Sequence, residues 1–247
     1  MAQLEVILTP AELPALAKRD LRGSVCVVFD VLRATSTFVT ALHNGAKAII
    51  PVSEIAEALA IRQKQPDVLL GGERDGVRIR AKQTGGIDFD FGNSPREYTP
   101  EKVRSKTIVS TTTNGTHALR ACAGAKMVLA ASFLNLTATV EFIKKIQPAQ
   151  IVLVCAGTRE NMADEDVLAA GALCDLLEAE FSDSAEIARR AYAEAKSDLA
   201  GAVRLAENAR RLLAIPELRD DVAFCLQHDI YPLIAKMEND GAIRMIR

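Results

Sequence analysis

Short apolar runs alternate along the chain with longer stretches of helical periodicity. The apolar runs are continuous, which is typical of strands that are buried on both faces of a sheet. They predict strands near residues 6–9, 25–30, 48–52, 68–71, 107–110, 127–130 and 151–155. The periodic stretches predict helices near residues 36–44, 54–63, 115–123, 134–146, 164–180, 184–212 and 217–227. This alternation favours βαβ units, and therefore a three-layer α/β/α fold with a mostly parallel central sheet.

Two regions depart from this rhythm. Residues 72–100 are rich in glycine, contain Pro95 and Pro100, and show no clear helical pattern. A loop of that length inside a compact domain is usually functional or disordered. From about residue 160 the chain is rich in alanine, which predicts a largely helical C-terminal third that covers the sheet. Nothing in the pattern requires a domain boundary, so we expect one domain over residues 1–247.

Composition narrows the function classes. The 247 residues are 49% hydrophobic and 25% charged, with a formal net charge of −2. This balance gives no reason to expect a nucleic acid or a membrane surface as partner, and no apolar run reaches the ~18 residues of a membrane helix. The beginning of the sequence lacks the basic region of a signal peptide. Five widely spaced cysteines stand in apolar surroundings, which favours a reduced, cytoplasmic location.

Four polar clusters directly follow predicted strands, at residues 30–36, 71–75, 110–116 and 155–159. Ligands of open α/β sheets bind at the carboxyl ends of the strands, so we expect these clusters to share one edge. In the first cluster a carboxylate (Asp30) and a guanidinium (Arg33) precede the start of a helix, which is a natural anion site. A carboxylate would repel an anion there unless a cation lay between them. The cluster therefore indicates a metal-assisted phosphate site.

Two further clusters could contribute. Residues 90–95 in the long loop include Asn93 and Ser94, although Gly-Asn-Ser-Pro is also an ordinary turn signature. Residues 164–166 are three acids at the start of an apolar helix. They could complement the helix dipole, or they could add a carboxylate to a Mg²⁺ site.

Each cluster also has a purely structural alternative. Thr35, Ser36, Thr113 and Asn114 are all favoured helix N-caps. Asp30 could be a turn residue and Arg33 a surface cation, while Glu73 and Arg74 could form an exposed ion pair of little value. Cys155 is better explained as a core residue, and the three histidines lack metal-ligand spacing.

Taken together, the clusters resemble the 2-phosphosulfolactate phosphatase family. The resemblance spans nearly the whole chain and rests on residues 30–37, 72–76, 89–98, 111–116, 155–158, 165–171 and 221–222, in that order. It implies Mg²⁺-dependent hydrolysis of 2-phosphosulfolactate to sulfolactate and phosphate, a step towards coenzyme M. One segment departs from the pattern: residues 78–88 are longer than the family leads us to expect. They add three cations, Arg78, Arg80 and Lys82, which we expect beside the site, where they would alter substrate choice.

The resulting hypothesis is a phosphomonoesterase that binds a small anionic phosphorylated substrate. Asp30, Glu73 and Asp166 are the candidate ligands of Mg²⁺, and Arg33 and Arg74 would hold the phosphoryl oxygens, so the catalytic set is Asp30, Arg33, Glu73 and Arg74. The candidate substrate-binding residues are Thr35, Ser36, Asn93, Ser94, Thr112, Thr113, Asn114, Gly115 and Thr116. A homodimer is left open.

Two rival hypotheses remain open. Asp30 could be a nucleophile that forms an aspartyl phosphate. Phosphatases of the haloacid-dehalogenase type carry a second Asp two residues later, and here that position is Leu32, which weakens the analogy. The second rival is a non-catalytic sensor of a phosphorylated acid, which would not need acidic residues at the same edge.

Overall fold

The structure is a computed structural model that describes residues 1–246. The strands are β1 Ala2–Ile7, β2 Ser24–Phe29, β3 Ala48–Pro51, β4 Leu69–Arg74, β5 Val77–Arg78, β6 Thr107–Thr111, β7 Met127–Ala131, β8 Gln150–Cys155, β9 Ala179–Phe181, β10 Ile234–Met237 and β11 Ile243–Ile246. The helices are α1 Leu13–Leu16, α2 Ala34–His43, α3 Ile55–Lys64, α4 Ala81–Thr84, α5 Pro100–Val103, α6 Gly115–Ala121, α7 Leu136–Ile146, α8 Asp164–Asp175, α9 Asp183–Ala195, α10 Leu199–Val203, α11 Glu207–Leu213 and α12 Arg219–Cys225.

All the strands join one sheet in the order β5-β4-β6-β3-β11-β10-β7-β2-β8-β1-β9. Two groups are parallel within themselves: β4-β6-β3, and β7-β2-β8-β1-β9. The antiparallel hairpin of β10 and β11 lies between the groups and pairs with β7 on one side and β3 on the other. The sheet is therefore mostly parallel, as predicted.

The two parallel groups run in opposite directions along the sheet, because three successive antiparallel pairings separate β3 from β7. The prediction that all strand-end clusters share one edge of a simple parallel sheet is therefore wrong. Six steps separate β4 from β2, and a twist of about 20–25° per step turns the sheet by roughly 120–150° over that distance. The carboxyl ends of the two groups consequently point in similar directions and can meet.

Strand β2 shows why helices cover both faces of the sheet. All six of its residues are buried, and successive side chains enter different cores. Val25, Val27 and Phe29 lie in a core shared with α8 and α9, whereas Cys26 and Val28 lie in a core shared with α2 and α6. A third core lies between α3 and the β4–β6 edge. These layers confirm the predicted α/β/α arrangement.

The predicted helical C-terminal third is only partly correct. It contains three strands, β9, β10 and β11, and the helix predicted over 184–212 is three helices, α9, α10 and α11. The break lies at Asp198, whose carboxylate accepts a hydrogen bond from Gly201 N and so begins α10. The β10–β11 turn contains Asp240 and Gly241, a known hairpin signal, with Gly241 at φ 78°. The loop predicted over 72–100 also contains the short elements β5 and α4.

Within residues 1–246 no helix combines the length and the hydrophobicity that crossing a bilayer demands. All five cysteines are buried free thiols. Burial raises the pKa of Cys155 well above its usual value, which agrees with its interpretation as a core residue.

Candidate active site

The turn between β2 and α2 places Asp30 at the bottom of a cavity. Asp30 is 8% exposed, and its Oδ1 accepts a hydrogen bond from Ala34 N at 2.9 Å. The Thr35 hydroxyl donates to the carbonyl of Asp30 and accepts from its N–H, while the Ser36 hydroxyl donates to Val31 O. Both hydroxyl residues are fully buried and neither lines the cavity. Thr35 and Ser36 therefore build the turn that presents Asp30, and their side chains do not face a ligand.

Glu73, at the end of β4, ties two loops to the same cavity. Its Oε1 accepts hydrogen bonds from the N–H and hydroxyl of Thr113 at 2.8 and 2.9 Å. Its Oε2 accepts from Gly76 N at 2.6 Å. Gly76 has φ 83°, a conformation that glycine adopts far more readily than other residues. Glu73 is thus a buried carboxylate that organises the cavity, and not a member of an exposed ion pair.

The start of α6 approaches Asp30 so closely that any residue other than glycine at position 115 would displace its neighbours. A Cβ atom on Gly115 would lie 2.4 Å from Asp30 Oδ2 and 2.7 Å from Ala34 Cβ. Helix α6 follows β6 of one parallel group, and Asp30 follows β2 of the other. The contact therefore joins the carboxyl ends of the two groups. The expected convergence of Asp30, Glu73 and the 111–116 loop is therefore found, although the sheet achieves it by twisting.

Arg33 enters the cavity as one half of a buried ion pair. Its Nη1 lies 2.7 Å from Oδ2 of the fully buried Asp221, and its Nη2 donates to Gly76 O at 2.6 Å. The hydroxyl of Ser94 donates to the other oxygen of Asp221. Ser94 is thus one step removed from the cavity, because it supports the carboxylate that holds Arg33. Arg33 is not the surface cation of the structural alternative.

Other predicted residues lie beside the cavity without lining it. The guanidinium of Arg74 donates to Glu73 O, Ser53 O and the Thr111 hydroxyl. Thr112 and Thr116 hydrogen bond to each other across the first turn of α6. These contacts give the three side chains structural partners, and none of the three is among the cavity-lining residues.

Asn114 connects the cavity to the loop after β8. Its amide nitrogen donates to the carbonyls of Ala156 and Arg159, and its oxygen accepts from Arg159 N at 3.0 Å. Asn114 occupies the N-cap position of α6, but its side chain does not cap that helix. It holds the 157–161 loop, and with it Arg159, at the mouth of the cavity.

The cavity has two sides. The strand-end side consists of Asp30, Leu32, Arg33, Glu73, Asp75, Gly76, Asn93, Thr113 and Asn114. The opposite side consists of Gly157, Thr158, Arg159, Asn208, Arg211 and Leu212. Asn93 Oδ1 is buried and has no hydrogen-bond partner in the described chain. An unpaired polar atom of this kind in a cavity marks a place where a ligand or water can bind.

The acidic groups around the cavity resist ionisation. Burial raises the pKa of Asp30 to about 6, and the nearby Glu73 carboxylate acts in the same direction. Burial likewise raises the pKa of Glu165 to about 7 and lifts that of Asp166 well above its usual value. Carboxylates whose charge is disfavoured in this way are stabilised by a bound cation.

The three predicted metal ligands do not form one cluster, because residues 1–246 contain no group of three or more acidic, His or Cys side chains placed to share a metal ion. A carboxylate can accept about four hydrogen bonds or metal contacts through its lone pairs. Asp30 accepts one hydrogen bond and Glu73 accepts three, so each keeps at least one lone pair for a cation. Asp166 is 2% exposed and does not line the cavity. Its two oxygens accept from Val31 N and Gly157 N. Two carboxylates still fit Mg²⁺, which takes one or two together with water and phosphate oxygens.

The family model of 2-phosphosulpholactate phosphatase matches residues 8–240 of the chain. A protein of Caldanaerobacter subterraneus subsp. tengcongensis named "Probable 2-phosphosulfolactate phosphatase" is 38% identical over 232 residues, which cover 92% of both chains. A protein of the same name from Thermotoga petrophila is 41% identical over 214 residues, or 86% of this chain and 88% of that one. One from Clostridium acetobutylicum is 34% identical over 230 residues, or 91% and 94%. The chain belongs to the 2-phosphosulfolactate phosphatase family. Membership places it among the phosphoric monoester hydrolases.

The segment in which this family member departs from the expected pattern does not reach the cavity. Arg78 forms an ion pair with Glu97, and Arg80 and Lys82 are exposed. None of the three lines the cavity. The structure therefore gives no support to the expectation that these cations alter substrate choice, because Arg78 is paired with Glu97 and the side chains of Arg80 and Lys82 are exposed to solvent outside the cavity.

Sequence reasoning missed two polar residues that helix α11 brings to the cavity, Asn208 and Arg211. They lie three residues apart, so one turn of the helix presents both on the same side. The available signal was a pair of polar residues three positions apart, next to the apolar residues Ala209 and Leu212; in the structure Asn208 is buried and Arg211 is half-buried. It is weak without a structure, because an exposed helix face has the same pattern.

Proposed function

We propose that the protein is a Mg²⁺-dependent phosphatase that hydrolyses 2-phosphosulfolactate, or a closely related phosphorylated hydroxy acid, to sulfolactate and phosphate. The observation that carries the proposal is the pairing of two buried carboxylates, Asp30 and Glu73, with three guanidinium groups, those of Arg33, Arg159 and Arg211, in one cavity. We further propose that it acts in a step towards coenzyme M, as the family resemblance implies. We propose a cytoplasmic location because its five cysteines are free thiols.

Charge balance supports a dication in this cavity. The substrate carries a phosphate, a sulfonate and a carboxylate. The positive charge of Arg33 is already matched by Asp221, and Asp30 and Glu73 would repel the phosphate. These two carboxylates would hold a Mg²⁺ ion, whose charge would offset the repulsion. Asp30 and Glu73 are accordingly the proposed Mg²⁺ ligands. Asp166 instead stabilises the two loops that contain Val31 and Gly157, because its oxygens accept hydrogen bonds from their N–H groups.

The bound Mg²⁺ would supply Lewis-acid polarisation of the phosphoryl group and offset charge on the leaving oxygen. The chain's own residues fix the geometry. Asp221 and the Gly76 carbonyl each hold one terminal nitrogen of Arg33, which orients its planar fork. Preorganised donors of this type act on the charge that develops in the transition state.

We propose attack by water and not by Asp30. Leu32, two residues after Asp30, lines the cavity and can neither donate nor accept a proton. A haloacid-dehalogenase-type reaction would need an Asp at that position. Structure determination after treatment with beryllium fluoride tests this point, because an Asp30 adduct would indicate the aspartyl-phosphate route.

The deciding experiment measures phosphate release from a panel of phosphorylated hydroxy acids, with Mg²⁺ and with excess EDTA. We expect 2-phosphosulfolactate to be the best substrate, EDTA to abolish turnover, and Mg²⁺ to restore it better than Ca²⁺, which prefers more ligands. Full activity in EDTA would remove the metal from the mechanism. If no phosphate is released from any compound that binds, the protein is a sensor.

A further inference from the structure

Arg211 is the positive group in the cavity that no protein carboxylate neutralises directly. Among the ion pairs of residues 1–246, Arg33 pairs with Asp221 and Arg159 with Asp75, whereas Arg211 has no acidic partner. Its Nη2 donates to Asn208 Oδ1 at 2.8 Å, and its Nε is buried without a partner. A buried Nε–H group without a hydrogen-bond acceptor costs free energy unless a ligand supplies the acceptor.

A chain of hydrogen bonds holds Arg211 in place. Asn208 is 5% exposed, and its amide nitrogen donates to the Thr158 hydroxyl and, at 2.7 Å, to Glu165 Oε1. The amide oxygen of Asn208 is thereby turned towards Arg211. Glu165 is also buried, so both supporting side chains are fixed by packing.

The guanidinium of Arg211 lies over Gly76, because a Cβ at Gly76 would be 3.7 Å from Arg211 Nε. The N–H of Gly76 binds Glu73 and its carbonyl binds Arg33. Arg211 therefore faces the proposed phosphoryl site from the helical side of the cavity, while Asp30, Glu73 and Arg33 occupy the strand-end side.

We propose that Arg211 is the specificity-determining residue that binds the second anionic group of the substrate, the carboxylate or sulfonate that is not hydrolysed, and that Asn208 positions it. The inference rests on the proposed phosphatase function. The free Nε and an adjacent Nη can form two parallel hydrogen bonds to two oxygens of either group. With the phosphoryl group beside Arg33, Asp30 and Glu73, the second anionic group would lie on the α11 side of the cavity.

The test compares Arg211→Gln and Arg211→Lys with Arg210→Gln, a control on an exposed side chain of the same helix. The kinetic substrates are 2-phosphosulfolactate, 2-phospholactate, which lacks the sulfonate, and 2-(phosphonooxy)ethanesulfonate, which lacks the carboxylate. Calorimetric binding of sulfolactate and of inorganic phosphate is measured in parallel. Circular dichroism and melting curves show whether each variant is folded.

For Arg211→Gln we expect kcat/KM on 2-phosphosulfolactate to fall on the order of 10²-fold, mainly through KM, as for the loss of hydrogen bonds to a charged group. Sulfolactate binding should weaken similarly, while inorganic phosphate binding changes by less than about threefold. The truncated substrate that is insensitive to the variant lacks the group that Arg211 binds. The losses for Arg211→Lys should lie between those of the wild type and those of Arg211→Gln, because Lys keeps the charge but not the planar fork. Asn208→Ala should show the same selectivity for sulfolactate over phosphate, with a smaller loss in kcat/KM, on the order of tenfold.

Equal weakening of phosphate and sulfolactate binding would overturn the assignment, since Arg211 would then serve the phosphoryl group. Unchanged sulfolactate binding would also overturn it. A different result would contradict the proposed phosphatase function and leave the assignment of Arg211 intact: the wild-type protein binds sulfolactate through Arg211 but releases no phosphate from 2-phosphosulfolactate.

Discussion

Replacing Asp30 by Asn should stabilise the metal-free protein at neutral pH. The amide oxygen of Asn can still accept the hydrogen bond from Ala34 N, so the turn survives the change. What disappears is a carboxylate whose pKa is raised from 3.8 to about 6 by burial and by Glu73. Such a group destabilises the folded state wherever it must be ionised.

The magnitude and its pH window follow from that pKa. A shift of roughly two pKa units corresponds to about 3 kcal/mol of unfolding free energy, and desolvation of the new amide reduces the net gain to about 1–3 kcal/mol. The folded state binds the proton more tightly than the unfolded state. The favourable contribution of Asp30 protonation is therefore fully present below pH 3.8 and is lost as the pH rises through about 6. The variant should gain most at pH 8 and little at pH 4.

The assay is urea denaturation of both proteins in EDTA at several pH values, repeated with excess Mg²⁺. Mg²⁺ at a hundred times its dissociation constant should stabilise the wild type by about 2.7 kcal/mol and the variant far less, so the order of stability reverses. Asp75→Asn, at an exposed position of the same cavity mouth, is the control for net charge. An Asp30→Asn effect that is the same at pH 4 and pH 8 in EDTA would refute the reasoning.

Four further variants separate structural from catalytic roles. Gly115→Ala should keep the fold but lower kcat on the order of 10²-fold, because the new Cβ would lie 2.4 Å from Asp30 Oδ2 and must push this carboxylate out of position. Unchanged kinetics would show that the position of the carboxylate is not critical. Asp166→Asn should lower the melting temperature while leaving the Mg²⁺ concentration for half-maximal activity unchanged, because its oxygens serve backbone N–H groups; a large rise in that concentration would make Asp166 a ligand. Asp221→Ala should destabilise the protein by roughly 3–5 kcal/mol, because it leaves the buried Arg33 without its ion-pair partner. Arg33→Lys should mainly reduce kcat. Urea denaturation and turnover, measured on both variants, check these two expectations.

The parts of the fold that depend on local pattern could be predicted, and the parts that depend on distant pairing could not. Strand β2 is a β-branched run that ends at Asp30, and it lies where the pattern puts it. Strands β10 and β11 are four residues each, and the pairing of β11 with β3 joins positions as distant as Ile243 and Ile49. No local periodicity encodes that neighbour, so the reversal of the two parallel groups could not be read from the sequence.

The candidate site shows the same division. Asp30 and Glu73 could be picked out because each carboxylate ends a strand, and the structure brings them to one cavity. The prediction that Thr35 and Ser36 contact the ligand is wrong, because their hydroxyls donate to the backbone carbonyls of Asp30 and Val31. Residue type alone does not decide whether a hydroxyl binds a ligand or the nearby backbone. Arg211 reaches the cavity only because α11 packs there, which is a tertiary event.

The position of the β10–β11 hairpin has a consequence for how the protein is made. These two strands come after every other strand in chain order, yet they fill the centre of the sheet. Until they emerge from the ribosome, β3 and β7 each present an unpaired edge, and open edges invite pairing with other chains. We therefore expect a nascent protein stalled before residue 234 to be a target for chaperones, and a late frameshift to cause aggregation as well as loss of activity.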